Sequence, residues 1–188
     1  DGNTTYTSGS KSYTSEADGS TVTISDWKKE GWGTLTYDQG FALSSNIAVA
    51  NIVESVITKV DLKSCYAKYG FGKATGFSLK REDKGNIDYK YQIEAATAGY
   101  GQGITTTPMQ HIQALTAIAN DGVMLRPYVV DKITLSNSKK SVYTGKRMVV
   151  GTVASSDTIS KMKELMKSVI TGDETNSTGY AYYMDGYD

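Results

Sequence analysis

Thr36-Tyr37-Asp38-Gln39-Gly40-Phe41-Ala42-Leu43-Ser44-Ser45-Asn46 packs two local instructions into one stretch. Thr36 followed three residues later by Gln39 is a capping box, in which hydroxyl and amide side chains each answer a backbone N–H at a helix start. A short helix is therefore predicted through Leu43. The chain resets at Ser44-Ser45-Asn46. Val49, Val53, Val56 and Val60 then recur at spacings of four, three and four, which predicts the buried stripe of a helix from about residue 47. The tripeptide thus lies at a helix junction, where its side chains are held rather than loose. The modest reading is that Ser45 or Asn46 only caps the second helix by accepting a backbone N–H.

Upstream, Ser25-Asp26-Trp27-Lys28 leads into Gly31-Trp32-Gly33, where two tryptophans supply packing area and the glycines permit a tight turn. Asp26 and Asp38 read as residues that orient turns, not as a reacting carboxylate pair. Residues 1–24 are rich in Thr, Ser, Gly and Tyr, and the alternation in Thr21-Val22-Thr23-Ile24 predicts short strands or a hairpin. Downstream, a further helical turn or two is predicted over Leu62 to Tyr69, and Gly70, Gly72 and Gly76 end it. Phe77-Ser78-Leu79 reads as a short strand before a charged loop from Lys80 to Lys84. Thr107, Pro108 and Gln110 mark a second capped helix start, with Met109, Ile112, Leu115 and Ala119 as its apolar pattern and Asp121-Gly122 as its stop. Val123 to Leu135 reads as extended. A third helix follows Ser156-Asp157, with Ile159, Met162, Leu165, Met166 and Val169 on one face.

Composition closes off several kinds of chemistry. The 188 residues carry 20 basic and 20 acidic side chains, mixed along the chain, so nothing argues for nucleic acid or an anionic surface. Cys65 is alone and can form neither a disulfide framework nor a thiolate metal site; a small buried hydrophobe is its expected role. His111, also alone, reads as a helix-surface or core residue, not a catalytic base. Gly99 to Gly103 lacks the lysine and hydroxyl residue of a phosphate loop. No apolar stretch is long enough to span a membrane, and no signal peptide opens the chain. Any reaction here must use hydroxyl, amide, lysine or carboxylate groups.

Tyr37 to Asn46, preceded by Ser25-Asp26-Trp27, is followed in order by Tyr100-Gly101-Gln102-Gly103-Ile104, Thr107-Pro108-Met109-Gln110, Ala117-Ile118-Ala119-Asn120-Asp121-Gly122-Val123 and Arg126-Pro127. These ordered blocks closely resemble the class B penicillin-binding proteins, and most of all their division-type members from Gram-positive bacteria. The resemblance runs from about Ile24 to Pro127 and continues more weakly to the end. It implies an α/β fold, a helix-rich piece of the serine transpeptidase and serine β-lactamase-like architecture, with short strands and most of the central sheet outside the chain. All 188 residues would belong to one transpeptidase domain: 1–24 a polar extended connection, 25–135 a helical lobe, 136–188 the third helix and a polar tail leading toward the third motif.

The family uses three motifs, Ser-x-x-Lys, Ser-x-Asn and Lys-Thr-Gly or Lys-Ser-Gly. The resemblance places the second on Ser44 and Asn46, with Ser45 as spacer. It implies that Ser44 passes a proton between the lysine of the first motif and the departing amine. Asn46 would donate an amide N–H to the substrate backbone or the antibiotic's side-chain amide. Gln102, near the cleft, would be a weaker substrate-side or supporting residue. Ser8-Gly9-Ser10-Lys11, Ser25-Asp26-Trp27-Lys28 and Ser136-Asn137-Ser138-Lys139 match the first motif literally, but none opens a helix that would bring its lysine round to the serine. No Lys-Thr-Gly or Lys-Ser-Gly occurs. The nucleophile is expected some tens of residues before Asp1, and the third motif a few residues beyond Asp188.

The implied activity is cross-linking of peptidoglycan stem peptides ending in D-Ala-D-Ala through an acyl-serine, with β-lactams as acylating mimics, on the extracellular face of the bacterial cytoplasmic membrane, where divisome proteins are candidate partners. No cofactor or metal is implied. The chain by itself is expected to be inactive. Two alternatives stay open: a non-catalytic relative that kept the fold to bind wall peptide or a partner, and a D,D-carboxypeptidase or β-lactamase relative.

Overall fold

The computed structural model describes residues 1–77 and 81–187. Strands β1 (Thr5–Thr7), β2 (Ser10–Thr14), β3 (Thr21–Ser25) and β4 (Thr34–Thr36) come first. Helices α1 (Tyr37–Ala42), α2 (Asn46–Ser55), α3 (Lys59–Lys68), α4 (Gln92–Gly99) and α5 (Pro108–Ala119) follow. Strands β5 (Val123–Leu125), β6 (Lys132–Thr134), β7 (Ser141–Thr144) and β8 (Val149–Thr152) precede α6 (Ser156–Thr171). Among the described residues the strands form antiparallel pairs only, β1 with β4, β2 with β3, β5 with β8 and β6 with β7. The helix-rich α/β character with short strands is as expected. The elements gather into two units, one of Asp1–Lys63, Asp88–Ile104 and Lys161–Asp188, the other of Ser64–Ile87 and Thr105–Ser160.

In the first unit, Tyr6, Ile24, Leu35, Leu43, Ile47, Ala48, Ala50 and Ala96 form one buried cluster. Alternation delivers the strand residues: Tyr6 pairs with Leu35 across β1 and β4, and Ile24 points inward from the β2–β3 hairpin. Helices α2 and α4 approach closely because small residues line the contact, with Ala50, Ala95, Ala96 and Ala98 all buried. A Cβ on Gly99 would lie 2.9 Å from methyls of both Val49 and Val53. The predicted box opens α1, with Gln39 N–H donating to Thr36 Oγ1 at 3.2 Å and Thr36 N–H to Gln39 Oε1 at 2.8 Å. The tail returns to this unit, where Thr178 N–H donates to Ala42 O at 3.1 Å and Gly179 N–H to Val169 O at 2.8 Å.

In the second unit, α5 starts at the predicted box and stops before Asp121-Gly122. Gly122 is required there: its φ is +94°, and a Cβ would fall 2.0 Å from Ala154 O. The buried side of α5 is not the apolar pattern expected. Ile112 and Leu115 are about half exposed, while Gln110 and Gln113 are buried with Ala117. Gln110 accounts for this by bridging chain segments: Nε2 donates to Lys73 O and Lys84 O, both at 2.8 Å, and Oε1 accepts Thr107 N–H at 2.9 Å. Its amide is hydrogen-bonded at both ends, which offsets the cost of burying it; Gln113 Oε1 is buried without a partner among the described residues. His111 sits on the exposed side, its Nε2 2.8 Å from Thr106 Oγ1 and its ring edge-on to Phe71.

Two other expectations need correction. Helix α2 ends at Ser55, and Val56 and Val60 are 72% and 67% exposed, so of the valine stripe Val53 is buried and Val49 half-buried. Cys65 is exposed on α3, whose only buried residue is Leu62. The third helix forms as expected at Ser156–Thr171; on its apolar face Ile159 is buried, Met162, Leu165 and Val169 are half-buried and Met166 is exposed. The strand expected at Phe77-Ser78-Leu79 falls on Ser78 and Leu79, outside the described residues.

Candidate active site

Ser44, Ser45 and Asn46 occupy the turn between α1 and α2, and each has a different task. Ser44 N–H donates to Phe41 O at 3.0 Å and Ser45 N–H to Gly40 O at 2.8 Å. This paired return of bonds closes a helix with a left-handed residue, a place usually given to glycine. Here the residue is Ser44, with φ +54°. A left-handed L-residue costs about 1–2 kcal/mol, so the flanking bonds hold Ser44 in a conformation it would not choose. Its side chain is exposed and makes no hydrogen bond among the described residues.

Ser45 is the cap. Its Oγ accepts Ala48 N–H at 3.0 Å and donates to Asp26 Oδ1 at 2.9 Å. The modest reading therefore holds for Ser45, while Ser44 is left with no structural bond to make. Asn46 is the first residue of α2 and half-buried; Nδ2 donates one N–H to Ser25 O at 2.9 Å, and the amide has a second N–H and an oxygen beyond that bond.

Asp26 lies beneath the turn, 2% exposed. Oδ1 accepts Ser45 Oγ–H and, at 3.0 Å, Ile47 N–H; Oδ2 accepts Gly9 N–H at 2.8 Å. Trp27 Nε1–H donates to Leu43 O at 3.0 Å. The Tyr6 hydroxyl is buried in the same place, and burial raises its pKa above the ordinary phenol value; the Ser45 hydroxyl pulls it partly back and the Asp26 charge adds to the rise.

The turn borders a groove of about 850 Å³. Ser44, Ser45 and Asn46 line it together with Phe41, Val49 and Ile52, and with Met162, Leu165 and Val169 of α6. No lysine, arginine or histidine is among its described lining residues. An exposed hydroxyl can relay a proton but needs a proton-transfer partner beside it, and besides tyrosines the ionisable side chains among the described lining residues are the carboxylates of Asp1 and Asp38. Tyr100 lines the groove; Gln102 does not, and is exposed on the turn after α4. The literal Ser-x-x-Lys matches are not helix starts. Ser8 is locked by Oγ bonds to Gly33 O and Trp32 N–H, Lys11 pairs with Glu54, and Ser136 is exposed after β6.

The family model for the penicillin binding protein transpeptidase domain matches residues 1–188. The chain belongs to this family. It is 29% identical over 168 residues to the stage V sporulation protein D of Bacillus subtilis (strain 168), covering 86% of this chain and 25% of that protein. It is 30% identical over 125 residues to the peptidoglycan D,D-transpeptidase MrdA of Escherichia coli (strain K12), covering 60% of this chain and 19% of that protein. The crystal structure of penicillin binding protein 2X from Streptococcus thermophilus superposes with a TM-score of 0.79 at 29% identity, covering 94% of this chain and 25% of that one. The chain thus spans about a quarter or less of the length of these relatives.

Membership gives the blocks around the turn a common purpose, since sequence and fold agree over nearly the whole chain. Two contributors escaped the sequence reading: Asp26, seen only as a turn residue, and Tyr100, seen only as part of a glycine-rich block. Ser25-Asp26-Trp27 recurring ahead of Ser44 in the family's order was the available signal for Asp26.

Proposed function

We propose that this chain supplies the Ser-x-Asn portion of a class B, division-type serine D,D-transpeptidase. The enzyme cross-links peptidoglycan stem peptides ending in D-Ala-D-Ala and is acylated by β-lactams at the extracellular face of the membrane, alongside division partners. One observation carries the reading. Ser44 is held left-handed at a helix junction, its hydroxyl makes no hydrogen bond among the described residues, and it lines a groove whose described lining includes no lysine, arginine or histidine. Such a hydroxyl is arranged to meet groups brought to it.

In this mechanism the nucleophilic serine and its lysine come from sequence outside the 188 residues. The serine gives its proton to the lysine as it adds to the carbonyl of the penultimate D-alanine, and the terminal D-alanine leaves as its nitrogen gains a proton. Ser44 Oγ accepts a proton from the lysine and donates its own toward that nitrogen, so it ends as it began. Asn46 turns its second N–H toward the peptide or the β-lactam side-chain amide and fixes the carbonyl for attack. Ser45 holds the junction from below, and Gln102 stays outside the first contacts. Similarity to the E. coli peptidoglycan D,D-transpeptidase supports the reaction class.

In the full-length protein that carries this chain, Ser44→Ala should slow acylation by a fluorescent penicillin roughly 10²- to 10⁴-fold, the usual worth of a positioned proton-transfer group. An unchanged rate in a folded variant would remove Ser44 from the mechanism. The 188-residue chain alone should take no covalent label.

A further inference from the structure

Ser25-Asp26-Trp27 grips the active-site turn residue by residue. Ser25 O takes Asn46 Nδ2–H, Asp26 takes Ser45 Oγ–H and Ile47 N–H, and the Trp27 indole reaches Leu43 O. The three contacts flank Ser44 on both sides without touching its hydroxyl. Asp26 is the centre of the grip. Its carboxylate is 2% exposed, and the bonds seen to it come from neutral donors: one hydroxyl and two backbone N–H groups, the last from Gly9 at 2.8 Å. Asp26 forms no salt bridge among the described residues.

A buried carboxylate without a cation is a costly choice for capping a helix, and Ser45 already caps Ala48 N–H. What the carboxylate adds is two oxygens that accept from three directions. Oδ2 ties to the β2–β3 hairpin through Gly9, while Oδ1 ties to Ser45 and Ile47, the residues on either side of Asn46. The replacement Asp26→Asn is nearly isosteric, yet the amide offers one oxygen and places an NH2 group against at least one of those donors.

We infer that Asp26 is a positioning residue of the transpeptidase reaction, setting the orientation of Ser44 and Asn46 through Ser45 and the first turn of α2. The inference rests on the reading of Ser44 and Asn46 as reaction residues. It assigns Asp26 no contact with substrate.

A double-mutant cycle in the full-length protein separates positioning from loss of fold. Acylation by a fluorescent penicillin is followed at varied concentration, giving a rate constant and a half-saturation concentration for wild type, Asp26→Asn, Ser44→Ala and the double variant, each checked by circular dichroism. Asp26→Asn should lower the rate constant roughly 10- to 100-fold, as small misplacements of reacting groups do, with a smaller change in half-saturation. In the Ser44→Ala background its effect should shrink at least about threefold, because one of the groups it positions is gone. Equal slowing in both backgrounds, or a folded Asp26→Asn protein at the wild-type rate, overturns the inference while leaving Ser44's role intact. A wild-type rate for Ser44→Ala overturns the reading of the motif and the inference together. Should Asp26→Asn fail to fold, Ser45→Ala, which cuts the side-chain link from Asp26 to the turn, is put through the same cycle and judged by the same two criteria.

Discussion

Replacing Ser44 by glycine should stabilise the chain while disabling the site. At φ +54° Ser44 bears the left-handed cost of about 1–2 kcal/mol that glycine escapes. Glycine gives back about 0.5–1 kcal/mol through the greater freedom of its unfolded chain. The difference spans about 0–1.5 kcal/mol and centres on a gain of about 0.75 kcal/mol for Ser44→Gly. Ser44→Ala keeps the backbone cost, and the lost hydroxyl holds no structural bond among the described residues, so it should stay within about 0.5 kcal/mol of wild type. Urea unfolding of the 188-residue chain at neutral pH gives all three values, and thermal melts should place the glycine variant about 1–4 °C above the other two. Both variants should be slow to acylate in the full-length protein, so stability and function would move in opposite directions. If both replacements destabilise by more than about 1 kcal/mol, the Ser44 hydroxyl is a structural bond-maker, and its availability for proton transfer is refuted.

Gln110→Leu, close in size but unable to bridge, should lower the unfolding free energy by about 2–4 kcal/mol, since two carbonyls and one N–H lose their partner; a loss under about 0.5 kcal/mol in urea unfolding would contradict that. Gly99→Ala should destabilise by about 1–2 kcal/mol because the new methyl meets Val49 and Val53, although helix propensity alone favours alanine there; a raised melting temperature would show that α2 and α4 can part at little cost. Burial raises the Glu82 pKa, but bonds from the Thr75 hydroxyl and the Thr75 and Gly76 N–H groups outweigh it and leave the carboxyl below its ordinary value. A lowered folded pKa contributes stability above the unfolded value of about 4.3, lost as pH falls through the folded one. The melting gap between wild type and Glu82→Gln should accordingly be widest near neutrality and narrow below about pH 4; a gap independent of pH would sink this account.

Sequence by itself determined the capped starts of α1 and α5 and the identity of the turn, while α4 went unread. Thr36 with Gln39, and Thr107 with Gln110, bond across three residues, so their geometry is written into a tetrapeptide and survives any tertiary arrangement. The ordered blocks around Ser44-Ser45-Asn46 were enough to name the family for the same reason, being read in one dimension. What faces inward was decided only in the tertiary structure. Val56 and Val60 match a buried stripe but lie exposed, and Gln110 and Gln113 displace Ile112 and Leu115 from the inner face of α5. Periodicity reports which residues share a face, whereas burial depends on what distant segments bring against it: Gln110 is buried because carbonyls 37 and 26 residues away need its amide. Asp26 follows the same rule. Nothing near it in the chain explains its carboxylate, whose partners at Gly9, Ser45 and Ile47 lie 17, 19 and 21 residues away. Folding alone brings them together, and with them the bonds that fix Ser45 and Ile47 on either side of Asn46.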